Sequence, residues 1–201
     1  MKVLAASDIH GDLNLIKDLV RKAIDNNVDA VILCGDITMF GMEVKGLIKP
    51  FKNANLKVLA IPGNHESFAL VDFFSQFYGP NFFNLENGVY KSKGVGFFGS
   101  SGTRMGVSGE SEKNIEDVLL EKGKDVESLA KRVMVVHEPP YNTKLDNIGF
   151  SAGSIGVRKA IEKLQPDLCL CGHMHETFGL EDSINKTRVI NVGREGIILD
   201  L

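Results

Sequence analysis

Eight side chains of this sequence are of a type that holds metal or moves a proton: Asp8, His10, Asp36, Asn64, His65, His137, His173 and His175. They include every histidine in the chain. All eight lie just beyond five apolar runs, at residues 3–7, 30–34, 58–62, 133–136 and 168–171, each of which reads as a buried strand. In open α/β sheets, ligands collect just outside the carboxyl ends of the strands. Asp36 shows why the pattern asks for a cation. A carboxylate that ends an apolar strand needs a partner to offset its desolvation. The residues that follow, Ile37, Thr38, Met39 and Phe40, supply no lysine or arginine. A metal centre meets that need and accounts for the histidines at strand ends.

The spacings support the same chemistry. Asp8 and His10 are two apart in an extended segment, so their side chains leave the same side of the chain, about 6.5 Å apart. His173 and His175 repeat the arrangement after Gly172, where the backbone can turn sharply. Asn64 offers a carbonyl oxygen, which suits harder divalent cations. Taken singly, Asp8 could cap a turn, Asn64 could cap a helix and His137 could be a satisfied histidine at a strand end. Together, at five strand ends, they point to a metal centre. Asp8, His10, Asp36, Asn64, His137, His173 and His175 are too many ligands for one tetrahedral ion. Shared through a bridging carboxylate, they supply two. Two ions roughly 3.5–4 Å apart clamp a phosphate, activate a bridging water as hydroxide and stabilise charge in an in-line displacement. The mixed nitrogen and oxygen set fits Mn, Fe, Zn or Ni, with Mn the first expectation.

The elements that carry these residues alternate. Between the first two runs, Leu13, Ile16, Leu19, Val20, Ala23 and Ile24 share one helical face over residues 13–26, with Lys17, Asp18, Arg21 and Lys22 opposite. A βαβ unit with parallel strands is expected. Residues 41–53 read as a poorer helix interrupted at Pro50, and 66–77 as a better one. Turn signals at Asn84 and Asn87-Gly88 predict a hairpin over 81–93. A strand over 94–99, a polar helix over 110–131 broken near Gly123, and a helix over 154–165 stopped by Pro166 follow. Residues 187–192 and 196–201 are expected to close the chain as an antiparallel hairpin. The long loop over 137–153 has the length of a functional loop. Arg104, in a Gly/Ser-rich loop, and Arg194 are candidate phosphate contacts. Tyr141 and Asn142, just after a ligand, are candidate pocket walls.

Composition narrows the classes. A chain of 201 residues, 43% hydrophobic, suits one α/β domain over 1–201 with a sizeable core. A net charge of −3 without a Lys/Arg block gives no surface for nucleic acid, which argues against a nuclease. No apolar run reaches membrane-spanning length, and residues 3–7 are too short for a signal peptide, so a cytoplasmic location is expected. The three cysteines, Cys34, Cys169 and Cys171, lie inside apolar strands and read as reduced core thiols. No second ligand pair at zinc-finger spacing accompanies Cys169 and Cys171.

In order along the chain, Asp8-x-His10, Gly35-Asp36, Gly63-Asn64-His65-Glu66, the strand-end His137 and Gly172-His173-x-His175 resemble the five motif blocks of calcineurin-like metallophosphoesterases. The resemblance implies two mixed β-sheets packed as a sandwich and flanked by helices, with a dinuclear centre at the strand ends. It implies Asp8, His10 and His175 on one ion, Asn64, His137 and His173 on the other, and Asp36 bridging them. His65 matches the family's non-ligand histidine, which contacts the phosphoryl group and gives a proton to the leaving oxygen. The family's protein phosphatases carry an orienting Asp and a phosphate-gripping Arg after the Gly-Asp block; this chain has Met39 and Phe40 there. That departure argues against a protein phosphatase and leaves Glu66 and Glu43 as weak candidates to orient His65. The His137-Glu138-Pro139-Pro140 segment, residues 149–158 and Gly-His-x-His-Glu look like the small prokaryotic phosphodiesterase-like branch. A phosphodiesterase acting on a small phosphate ester is therefore expected. A phosphomonoesterase of the same family is the nearer alternative. The other is a non-catalytic scaffold, which would be expected to lack ligands this chain keeps.

Overall fold

Successive residues of a strand face opposite sides of its sheet, and in residues 30–34 both sides are apolar. Val31 and Leu33 pack into one buried cluster with helices, while Ala30, Ile32 and Cys34 pack into a second cluster against another sheet. That double demand sets the layering. The computed structural model describes residues 1–42 and 44–201. The chain runs β1 (Lys2–Ala6), α1 (Leu13–Asp25), β2 (Ala30–Cys34), α2 (Lys49–Asn53), β3 (Val58–Ile61), α3 (Phe68–Tyr78) and β4 (Phe82–Asn84). It continues through β5 (Tyr90–Ser92), β6 (Val95–Gly99), α4 (Glu112–Lys124), β7 (Lys131–Val135) and α5 (Ile155–Leu164). The last strands are β8 (Leu168–Cys171), β9 (Glu181–Ile184), β10 (Thr187–Asn191) and β11 (Ile197–Asp200).

Two mixed sheets result, in the orders β11-β1-β2-β3-β4 and β5-β6-β7-β8-β10-β9. Strands β1 to β4 are parallel, as the expected βαβ start requires. The outer face of the first sheet packs Leu4, Val31, Leu33 and Val58 against Ile16, Leu19, Phe51 and Phe74 of the helices. The inner faces meet through Ile32, Leu59 and Ile61 on one side and Phe97, Val133, Val135 and Leu170 on the other. Met134, Val136, Cys169 and Cys171 face outward onto Ile115, Leu119, Val157 and Ile161 of α4 and α5. This is the helix–sheet–sheet–helix sandwich expected. Among the described residues no helix is long and apolar enough to cross a membrane.

Three local expectations differ from the structure. The 81–93 hairpin is replaced by two strands in different sheets. Asn84 caps a short 3-10 turn over Leu85–Asn87, and β4 stays with β3 while β5 pairs antiparallel with β6. The closing hairpin is likewise split. Strand β10 lies between β8 and β9, and β11 crosses to the edge of β1, pairing Lys2 with Asp200. The tight hairpins lie one element away from those expected, β5 with β6 across Lys93-Gly94 and β9 with β10 across Asn185-Lys186, while β4 and β11 pair with strands distant in sequence. The helix expected over 41–53 shrinks to Lys49–Asn53, with Pro50 in its first turn, where a missing N–H costs nothing.

Candidate metal centre

The loops after β1, β2, β3, β7 and β8 converge at one end of the sandwich. Asp8 (φ 55°), His10 (φ 51°), Asp36 (φ 50°) and His173 (φ 68°) all adopt the left-handed conformation, which is uncommon without glycine. Such outliers gather where surrounding structure over-determines them, and functional sites are the usual place. Here the loops brace one another. Asp8 N–H donates to Gly35 O at 3.1 Å and His10 N–H to Asp36 O at 2.9 Å. Glycine is required where the loops cross: a Cβ on Gly63 would collide with Asp36 Oδ1, and one on Gly172 would collide with Ser7 Oγ.

Each carboxylate has one oxygen held and one presented. Asp8 Oδ2 accepts from the Ser7 hydroxyl and, at 3.0 Å, from His173 N–H. Its Oδ1 is buried with no hydrogen-bond partner among the described residues, 3.5 Å from His175 Nε2 and 3.9 Å from His10 Nε2. Asp36 Oδ1 accepts from His65 N–H at 3.0 Å. Its Oδ2 lies 3.4 Å from His137 Nε2, 3.8 Å from His65 Nε2 and 3.9 Å from His10 Nε2. His137 Nε2 is in turn 3.0 Å from Asn64 Oδ1 and 3.2 Å from His173 Nδ1. Its other nitrogen, Nδ1, lies 2.8 Å from Cys34 O, a contact that fixes the ring and turns Nε2 to the site.

The electrostatics follow from burial and crowding. Burial opposes charge on His137, but the Asp36 carboxylate beside it, helped by Asp8 and the Cys34 carbonyl, pushes its pKa up to about 10. Burial favours protonation of Asp36, yet His137 and the His65 N–H hold its carboxyl well below the usual range. Burial and the His137 charge push His173 down to about 4, and burial lowers His10. These residues fit divalent ions. Asp8, His10 and His175 present atoms within 4.8 Å of one another, and so do Asp36, His137 and His173. A buried anionic oxygen without a donor, as at Asp8 Oδ1, is what a cation would satisfy.

His10, Asp36, Met39, Asn64, His65, His173 and His175 line an open cavity of about 330 Å³. Arg104 points elsewhere. Its N–H and Nε–H donate to buried Glu138 at 2.8 and 2.7 Å, and its Nη2–H donates to Ala152 O. In the structure Arg104 forms an internal ion pair that braces the loop after His137. Tyr141 and Asn142 lie in a turn whose carbonyls both accept from Arg158 at 2.9 Å, and the structure does not place them on the cavity wall. Arg194 Nη2 is 3.3 Å from Asp12 Oδ2. Glu66 does not orient the His65 ring either. Its carboxylate accepts from Thr38 N–H and Oγ1–H at 2.8 and 2.7 Å and from Gly63 N–H at 3.0 Å, clamping two loops together. Glu43 lies outside the described residues. What sequence reasoning missed is aromatic: Phe40 stacks on His65 at 4.0 Å, and Phe178 leans on His175 at 4.8 Å. The Phe40 signal was present as a departure at the position after Met39.

The sandwich carries a candidate metal-binding cluster of imidazoles and carboxylates at its strand ends. The calcineurin-like phosphoesterase model matches residues 1–177, and the chain belongs to that family. It is 30% identical over 199 residues to the uncharacterized protein MJ1162 of Methanocaldococcus jannaschii, covering 95% of this chain and 87% of that one. Its fold is similar to that of TT1561 of Thermus thermophilus, with a TM-score of 0.79 at 17% identity over 96% of this chain and 88% of the other. It is also similar to the fold of a novel archaeal phosphodiesterase, with a TM-score of 0.53 at 20% identity over 96% and 84% of the two chains.

Proposed function

We propose that residues 1–201 act as one domain, a dinuclear metal-dependent phosphodiesterase. The observation that carries this reading is the convergence of two candidate ligand groups on Asp36 Oδ2, beside the buried Asp8 Oδ1, which has no partner among the described residues. Asp8, His10 and His175 would hold one ion, Asn64, His137 and His173 the other, and Asp36 would serve both. When bound, two divalent ions, Mn foremost and Fe, Zn or Ni in its place, supply Lewis-acid polarisation of the phosphoryl group and acidify water. His65 is no ligand in this scheme. It lines the cavity and holds a proton for the departing oxygen.

The preference for diesters rests on charge. A phosphomonoester dianion brings one more charge than a diester and commonly meets an arginine. No arginine or lysine is among the residues lining the cavity, and Arg104 and Arg194 are engaged by carboxylates. The substrate is a small phosphate ester; nucleic acid and membrane are not partners in this reading. Three buried free thiols support action in a reducing cytoplasm. The test is hydrolysis of bis-p-nitrophenyl phosphate against p-nitrophenyl phosphate by chelator-stripped enzyme titrated with Mn²⁺, Ni²⁺, Zn²⁺ and Mg²⁺. Metal-dependent turnover favouring the diester is expected. Preference for the monoester overturns the diester assignment, and no turnover with two metals bound favours a scaffold.

A further inference from the structure

Phe40 occupies a backbone position that suits it poorly. Phe40 (φ 51°) and Gly41 (φ 73°) are both left-handed, and Met42 N–H donates to Met39 O at 2.9 Å. The central positions of such a turn favour glycine, asparagine or aspartate, and a bulky side chain there is strained. The ring gains little core burial in return, being 59% exposed. Its contact is His65, with centroids 4.0 Å apart and planes within 19°.

His65 has need of such a contact. An imidazole is usually oriented by a hydrogen bond to its second nitrogen. Here Nδ1 is buried with no partner among the described residues. The His10 ring also lies against His65, at 4.8 Å and tilted by 57°. The turn that carries Phe40 is fixed to the loop that carries His65. Gly41 N–H donates to Thr38 Oγ1 at 3.2 Å, and Thr38 is bound by the same Glu66 carboxylate that accepts from Gly63 N–H. One buried carboxylate therefore sets the register between the two aromatic rings.

We propose that Phe40 is the positioning residue for His65, fixing by stacking the plane of an imidazole whose Nδ1 has no hydrogen-bond partner among the described residues. This rests on the reading of His65 as proton donor. The test is a double-mutant cycle on the metal-loaded enzyme with Phe40→Leu, Phe40→Tyr and His65→Ala. Substrates are bis-p-nitrophenyl phosphate and diphenyl phosphate, whose phenolate leaves less readily. Phe40→Leu is expected to lower kcat on diphenyl phosphate about tenfold with KM within about twofold, to cost less on the nitrophenyl ester, and to be rescued by Phe40→Tyr. In the His65→Ala background it is expected to cost nothing further. In metal-free protein, nuclear Overhauser contacts between the Phe40 and His65 rings are expected. Unchanged kcat in Phe40→Leu while His65→Ala is impaired overturns the proposal. So do a rise in KM alone, or an equal loss in the His65→Ala background, which place Phe40 on the substrate. Full activity of His65→Ala instead removes His65 from the mechanism, a distinct failure.

Discussion

The two halves of the centre are built from similar residues and supported very differently. The His137 side chain is fully buried, with Nδ1 against Cys34 O and Nε2 within 3.4 Å of Asn64, His173 and Asp36. The His175 side chain is 55% exposed and lies against Phe178, the His10 ring at 5.6 Å and the Asp8 carboxylate. His10 stands between them, with a buried Nδ1 that has no partner among the described residues. Groups that orient a ligand raise metal affinity by roughly 10–100-fold. The inner half has such groups and the outer half largely lacks them. The inner ion is therefore expected to be held tightly, and the outer one to exchange with the medium and open the site to substrate.

The largest effect comes from erasing the difference. Asp36 Oδ2 faces both halves, so Asp36→Asn is expected to weaken both ions together and to lower turnover about a thousandfold or more. Metal analysis by mass spectrometry reads this directly. Two full equivalents in that variant would contradict a shared carboxylate.

Removing one histidine at a time sharpens the comparison. His137→Ala leaves the Cys34 carbonyl without its buried contact and empties a packed position, so it is expected to cost the metal-free fold about 2–4 kcal/mol. His175→Ala alters an exposed ring and is expected to stay within about 0.5 kcal/mol. Each variant is expected to lose one equivalent of metal. Urea unfolding of the stripped proteins supplies the stabilities, and equal losses would show that the two halves are supported alike.

The asymmetry also marks what the sequence could convey. Buried parallel strands announce themselves as continuous apolar runs, and the residue after such a run is placed at the sheet's carboxyl end by geometry alone. That is why the residues that converge in the candidate cluster could be picked out from the sequence. Arg104 was not, because a guanidinium's partner depends on which loop crosses beside it, and Glu138 is 34 positions away. Strand β9 went unread, and β11 was read as a strand with the wrong partner. Both are short and only partly buried, and their registers are set by β10 and by distant β1. Glu66 looked like a candidate for the His65 ring because it is adjacent in sequence, whereas its side chain turns back to Thr38.

The smallest effect is expected at the thiols, which line the same strands without taking part. Cys34, Cys169 and Cys171 are fully buried, and burial raises all three thiol pKa values. A thiol reacts and binds metal as the thiolate, so these groups are inert while the core is closed. Cys171 Sγ instead donates to Ile190 O at 3.4 Å. Dithionitrobenzoate at pH 8 is expected to label none of them in the native protein and all of them in guanidinium, with or without metal. Cys169→Ser is expected to leave metal content unchanged. If native labelling occurred in stripped enzyme and vanished when metal returned, a thiolate would belong to the centre. The separation of imidazole and carboxylate ligands at the strand ends from thiols within the strands would then fail.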